Sequence, residues 1–191
     1  VREVCSRCQE ISHRYFSVIR SLVVYDGMLQ EWLYRVKYQG EVRLAGALGR
    51  IMALYLGQYP ELKCDCVVPV PLHRERMEQR GYNQALVLAE EIARWRNIPV
   101  MADAVSRSRA TVAQSSFGVE QRTHNVAGAF RINTPSLIQG RVVLLVDDIY
   151  TTGATLNELA RVLLRAGAKE VKGYCLAVSV NDADLTQDAN R

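Results

Sequence analysis

At 191 residues, the chain is long enough for one sizeable α/β domain with a small appendage, and a hydrophobic fraction of 49% excludes a wholly disordered polypeptide. Its net charge of +4, from 24 basic and 20 acidic side chains, suits phosphate-bearing ligands without the excess of a protein built to coat nucleic acid. No apolar run is long enough to span a bilayer and there is no signal-peptide pattern.

The chain opens on Val1, as a piece of a longer product would. Residues 1–20 are polar, carry Cys5-Ser-Arg-Cys8 and His13, and read as a linker or a partial metal-binding remnant. Leu22–Tyr25 has the composition of a short strand. Met28, Leu29, Trp32, Leu33 and Val36 recur at helical spacing. A second helix is expected over Val42–Tyr55, with Leu44, Leu48, Ile51 and Met52 inward. Cys66–Val70 is a buried strand that should end near Pro69, which has no N–H for a ladder. Residues 82–95 form a helix with Leu86, Ala89, Ile92 and Ala93 on one face.

Residues 106–125 are polar and without period; a stretch of that length is functional or mobile more often than not. Ala127–Ile132 suggests another strand. Val142–Asp147 is an unbroken apolar run of the parallel-sheet kind. A helix follows with Leu156, Leu159, Ala160, Leu163 and Leu164 as its buried stripe and Gly167 just past its end. Val171–Val178 is the next strand, and residues 181–191 form a polar tail. Strand, loop, helix and strand in that order make a βαβ unit. The class is therefore α/β with a mostly parallel sheet flanked by helices, in one domain over residues 21–180.

The segment Val143-Leu-Leu-Val-Asp-Asp-Ile-Tyr-Thr-Thr-Gly-Ala-Thr155 carries the chemistry. It reads as a buried strand ending in two acids, a loop of small residues and a helix N-terminus. The loop Thr151, Thr152, Gly153, Ala154, Thr155 offers backbone N–H groups and hydroxyls to a single phosphate, which the helix dipole also favours. Asp147 and Asp148 stand at the strand's carboxyl end, where ligands bind in open α/β sheets, and as acceptors they suit a sugar diol. Together these groups match a ribose 5-phosphate. A capping turn and a strand-end cap would each account for one piece alone. A receiver-like phosphoacceptor domain also has paired acids and a strand-end Thr, but gives the Thr-Thr-Gly-Ala-Thr loop no task.

The whole string resembles the motif by which type I phosphoribosyltransferases bind 5-phosphoribosyl-1-pyrophosphate (PRPP). The wider chain resembles the ComF family over roughly residues 5–178. The matching pieces are Leu33-Tyr-Arg-Val-Lys-Tyr38, Val67-Val-Pro-Val-Pro-Leu-His-Arg-Glu-Arg76, Gln79-Arg-Gly-Tyr-Asn-Gln84, Arg107, Thr111, Gln114, Arg122, Asn125-Val126 and Gly128-Ala-Phe130. The resemblance implies a phosphoribosyltransferase-type domain with a small N-terminal hood around Val24–Lys37. It implies that Pro71, Leu72, His73 and Arg74 form the pyrophosphate loop. The cations Arg74, Arg76 and Arg80 suit that task, although a solvated stretch opening a helix would carry the same charges. Residues 106–125, with Arg107, Thr111, Gln114 and Arg122, correspond to the loop that closes over the reactants. Asn83 is placed to cap the helix that follows it.

ComF proteins usually carry a zinc ribbon with two Cys-x-x-Cys pairs, and only Cys5 and Cys8 are present here. Structural Zn²⁺ takes four ligands, so a zinc site is expected only in a longer form of the protein. Cys64, Cys66 and Cys175 read as structural thiols and not as nucleophiles, and the odd cysteine count points to a reducing cytoplasm. The implied cofactor is Mg²⁺, held through PRPP near Asp147 and Asp148. The implied partners are PRPP and an unidentified acceptor that takes the phosphoribosyl group as pyrophosphate leaves. A non-catalytic PRPP-binding role in competence, touching single-stranded DNA or DNA-uptake proteins, is the alternative.

Overall fold

The computed structural model describes residues 13–109 and 126–179. Cys5, Cys8, Thr111, Gln114, Arg122 and the tail from residue 181 lie outside the described residues, so the ribbon remnant and most of the closing-loop assignments are not located. A four-stranded, all-parallel sheet organises the domain, in the order β1–β6–β5–β2. Its strands are β1 (Val18–Val24), β2 (Cys66–Pro69), β5 (Val142–Tyr150) and β6 (Glu170–Val178). A separate antiparallel pair joins β3 (Val105–Arg107) to β4 (Phe130–Ile132). The helices are α1 (Gly27–Tyr38), α2 (Val42–Tyr55), α3 (Arg74–Arg80), α4 (Gln84–Arg96) and α5 (Ala154–Arg165).

Successive side chains of β5 point to opposite faces, and both faces are buried. Val143 and Leu145 pack with Leu156, Leu159 and Leu163 of α5. Leu144 and Val146 face the other way, into Leu48 and Met52 of α2 and Leu88 and Ile92 of α4. That two-sided burial explains the unbroken apolar run. The β5–α5–β6 crossover is the expected βαβ unit, and Gly167 follows α5 with φ +96°.

Several boundaries and faces differ from the sequence expectation. β1 starts at Val18 rather than Leu22, because its first half pairs with β6 from Lys172 onward. Ile51 is exposed. The buried face of α2 is instead Ala45, Gly46, Leu48, Gly49, Met52 and Ala53, since small residues let α4 approach: a Cβ on Gly49 would lie 3.0 Å from Glu91 Cβ. In α4, Ala85 and Leu88 are buried where Leu86 was expected. Residues 105–107, taken with or beside the patternless segment, form β3 because β4 supplies the partner. Pro69 ends β2 as anticipated, on the last strand of the sheet order. Among the described residues, no helix is long and apolar enough to cross a membrane.

Candidate active site at the carboxyl end of β5

β2 pairs with β5 only as far as Pro69 opposite Val146, and Val70 N–H then donates to Val146 O at 2.9 Å. Beyond that point β5 continues to Tyr150, three residues past the expected end at Asp147, with β6 as its sheet neighbour. Asp147 and Asp148 therefore stand where β2 has turned away into the loop Pro71–Arg74. The strand's own amides use these acids: Asp148 N–H donates to Asp147 Oδ1 at 2.9 Å and Ile149 N–H to Asp148 Oδ1 at 3.0 Å.

The two carboxylates differ in their surroundings. Asp148 is buried, and its Oδ2 meets Lys37 Nζ at 2.5 Å; apart from that ion pair no hydrogen-bond donor reaches Oδ2. Burial raises both acids, but Lys37 overrides it at Asp148 and holds that carboxyl below its ordinary range. Asp147 is partly open. Burial, compounded by the neighbouring Asp148 charge, holds it well above the usual carboxylate range.

The loop after β5 turns through Gly153 at φ +78°, a left-handed position that suits glycine. Space there is as restrictive as the dihedral, since an added Cβ would lie 2.6 Å from Tyr150 Oη and 2.9 Å from its ring. Thr152 Oγ1 accepts from Ala154 N–H at 3.4 Å, and the first helical bond of α5 runs from Asn157 N–H to Gly153 O at 2.8 Å. The earlier amides of α5 have no intrahelical acceptor, so Thr155 lies where the helix offers N–H groups to an anion.

Pro71, Leu72 and His73 are half-buried beside this strand end, and His73 Nδ1 caps α3 by accepting from Glu75 N–H at 3.4 Å. Arg74 is turned outward and pairs with Glu78 at 2.7 Å. A backbone bridge joins His73 to Arg107. The Arg107 guanidinium lies 5.5 Å from the Phe130 ring centre. Burial first, then Arg76, lower its pKa, while Asp147 opposes them. Arg107 thus links β3, the loop after β2 and the acid pair, and Arg76 is its nearby cation.

The run Arg80-Gly81-Tyr82-Asn83-Gln84 does more than cap a helix. Asn83 does cap α4, accepting from Ala85 N–H at 3.0 Å, and its Nδ2 donates to Val70 O at 3.0 Å. Gly81 ends α3 at φ +80°. Arg80 Nε donates to Lys37 O at 3.0 Å, Tyr82 Oη donates to Val36 O, and Gln84 accepts from Arg80. These side chains satisfy carbonyls at the carboxyl end of α1, which a helix leaves without partners. The run is a joint that fastens α1 to α3 and α4 and holds Lys37 over Asp148. Sequence reasoning also missed a surface feature of α1. Tyr34 and Tyr38, one helical turn apart, are exposed with ring centres 5.0 Å apart, and Arg80 lies 5.9 Å from the Tyr38 centre. Their i, i+4 spacing was the available signal.

Burial pushes the thiols of Cys64 and Cys66 up to about 11 and Cys175 well above its ordinary value. Such thiols are poor nucleophiles at neutral pH, in keeping with structural roles. Among the described residues no three His, Cys, Asp or Glu side chains converge on a metal position. The protein's available oxygen donor at the acid pair is Asp147. That donor set fits Mg²⁺, which commonly takes one or two carboxylates together with substrate phosphates.

A strand-end acid pair running into a glycine turn and a helix N-terminus, beside the loop of a neighbouring parallel strand, is the arrangement of a phosphoribosyltransferase-type domain. The chain belongs to that family: residues 82–189 match the phosphoribosyl transferase domain. Within it the relatives are ComF proteins, as the sequence resemblance implied. The chain is 33% identical over 176 residues to the DNA utilization protein YhgH of Escherichia coli K12, covering 90% of this chain and 76% of the relative. It is 32% identical over 186 residues to competence protein ComFC of Bacillus subtilis, covering 92% and 72%. Among solved structures, a glutamine PRPP amidotransferase from B. subtilis aligns with TM-score 0.47 at 21% identity, over 69% of this chain and 26% of that one. A purine phosphoribosyltransferase from Pyrococcus horikoshii aligns with TM-score 0.44 at 21% identity, over 70% and 73%.

Proposed function

We propose that this domain binds PRPP and transfers its phosphoribosyl group to an acceptor with release of pyrophosphate. The observation that carries the proposal is the continuous run from the acid pair of β5 through Gly153 into α5. It sets acceptors for a ribose diol against donors for its 5-phosphate within nine residues. In the reaction the bond from C1 of the ribose to the pyrophosphate oxygen breaks. A bond from C1 to the acceptor's nucleophilic atom forms, and the acceptor gives up a proton. Thr151–Thr155 hold the 5-phosphate and the acid pair faces the ribose. The loop Pro71–Arg74 faces the departing diphosphate, and Arg107 and Arg76 are the cations that neutralise it, Arg74 being turned outward to Glu78. Mg²⁺, carried on the ligand's oxygens and touching Asp147, would supply charge neutralisation. The protein's own contribution is positioning and electrostatic preorganisation.

Calorimetric titration of PRPP, with and without Mg²⁺, tests the proposal. We expect Mg²⁺-dependent binding by the wild type. A folded wild type that binds no PRPP under either condition overturns it.

A second role is favoured by one observation, the exposed Tyr34–Tyr38 pair with Arg80 beside it. Exposed aromatics next to a cation are elements of a single-strand platform, and relatives bear the names DNA utilization and competence protein. An accessory role on single-stranded DNA would appear as steeply salt-dependent affinity that falls severalfold in Tyr38→Ala. Absence of binding at low salt removes it.

A further inference from the structure

We infer that Glu158 is a positioning residue: it holds the turn at Gly128 against α5, so that the β3–β4 ribbon keeps Arg107 at a fixed place relative to the turn proposed for the 5-phosphate. The inference rests on the PRPP-binding proposal above and explains how its two phosphate positions are kept in step.

The ribbon has little of its own to hold it. β3 and β4 have three residues each and pair with one another apart from the four-stranded sheet. Ala129 and Phe130 share a core with Leu156 and Leu159 of α5, but apolar contact is non-directional and fixes no register. Glu158, in the second turn of α5, supplies a directed contact: its Oε1 accepts from Gly128 N–H at 2.8 Å. Gly128 has φ +68°. The residues on either side of it are tied to the chain that follows Arg107, since Arg109 Nη2 donates to Ala127 O at 3.0 Å and Ser108 N–H donates to Ala129 O at 2.9 Å. Arg107 itself stands opposite Phe130 in the ladder, with its guanidinium beside that ring.

A buried acid is a poor choice for packing alone. Arg161, one helical turn on, meets Glu158 with two bonds, Nε to Oε2 at 2.7 Å and Nη2 to Oε1 at 2.6 Å. Such a fork fixes the plane of a carboxylate as well as matching its charge. Burial pushes the Glu158 carboxyl up, and the Arg161 guanidinium and the Gly128 amide together bring it below its ordinary value. The carboxylate is thus kept ionised and aimed at one backbone amide.

The test compares two ligands on Glu158→Ala, Glu158→Asp and Glu158→Gln. PRPP needs both phosphate positions, whereas ribose 5-phosphate uses only the one at α5. We expect Glu158→Ala to weaken Mg²⁺-dependent PRPP binding about tenfold or more, as when a buried amide loses its acceptor, with ribose 5-phosphate affinity within about threefold of wild type. Aspartate keeps the charge but is one methylene short of Gly128, and should lose PRPP affinity severalfold. Glutamine keeps the reach and should recover most of the loss. Without ligand, amide exchange at Gly128 and across β3 and β4 should speed up about tenfold in the alanine and aspartate variants, and stay unchanged in β5 and β6.

Equal losses for the two ligands would mean that Glu158 serves α5 alone. A glutamine variant as poor as the alanine one would mean that the charge matters and the reach to Gly128 does not. Either result overturns the inference, as does unchanged PRPP affinity in Glu158→Ala. Should that variant fail to fold, the other two decide, and the inference fails unless glutamine binds PRPP more tightly than aspartate. A folded wild type without PRPP affinity overturns the PRPP proposal instead. Amide exchange then decides the clamp, which fails if the ribbon of Glu158→Asp exchanges as slowly as that of the wild type.

Discussion

Asp147→Asn is expected to weaken PRPP binding by about a hundredfold while leaving the fold intact. Asparagine keeps the Oδ1 that accepts from the Asp148 amide, so the strand end need not rearrange. What is lost is the charge and one acceptor. Hydrogen bonds to an ionised carboxylate are worth about 1.5–3 kcal/mol each, and two from a ribose diol at the low end of that range put the loss near 3 kcal/mol, roughly a hundredfold in affinity.

Stability should move the other way. Burial and the adjacent Asp148 charge raise Asp147, so the folded state binds its proton more tightly than the unfolded chain does. The fold is then favoured as pH falls and penalised as pH rises above the ordinary carboxylate range. An asparagine carries no such penalty at neutral pH, so the variant should melt at or above the wild type. The same shift implies that wild-type affinity for a diol donor improves as pH rises through the raised Asp147 pKa, a trend that should flatten in Asp147→Asn. Calorimetry at several pH values, paired with thermal melts, reads all of this. Affinity within about threefold of wild type in the variant would mean that the ribose is held elsewhere.

Gly153→Ala should damage both folding and binding. Gly153 has φ +78°, a region that costs a residue with a Cβ about 1–2 kcal/mol. The added carbon would also lie 2.6 Å from Tyr150 Oη and 2.9 Å from its ring, and Tyr150 is buried, so relief requires the ring and the start of α5 to shift. Overpacking of that kind adds about 1–3 kcal/mol. The displaced turn carries the amides proposed for the 5-phosphate, so affinity for PRPP should fall steeply, and binding of ribose 5-phosphate should fall with it. Urea denaturation measures the first effect and ligand titration the second. A variant of wild-type stability that still binds PRPP would mean that the turn tolerates a side chain and has no close role in phosphate binding.

The strand–acid–glycine–helix run was legible in the sequence because its signals are local. An apolar run, two carboxylates, small residues and a helical stripe occupy one stretch of chain, and β5 and α5 follow it closely. The pairing of Pro69 with the end of β2 was legible for the same reason: a missing N–H is a property of one residue. What could not be read depends on partners distant in sequence. Val18–Ile19 look like linker until Lys172 and Gly173 pair with them. Ser106 and Arg107 look like loop until Arg131 and Phe130 do. Lys37 and Asp148 are separated by 111 positions along the chain, and nothing in the composition of either neighbourhood announces a contact at 2.5 Å. Arg80 and Tyr82 were recognisable as a motif, but their task depends on the carbonyls of Val36 and Lys37. Arg74 illustrates the converse: its type suited a diphosphate, whereas its observed partner is Glu78 on the outer face of a short helix.

The strand order has a consequence for the course of synthesis. Among the described residues β1 has a single sheet neighbour, β6, paired from Val18 opposite Lys172 to Val24 opposite Val178. β1 must therefore wait for β6, the latest of the described strands in the chain, before it can enter the sheet. Contacts that distant in sequence are slow to form, and apolar strands awaiting them invite association with other chains. β1 is thus a latecomer to its own fold. Its seven residues, which include Ile19, Leu22, Val23 and Val24, are the segment of this domain most in need of shelter while the rest of the chain is being made.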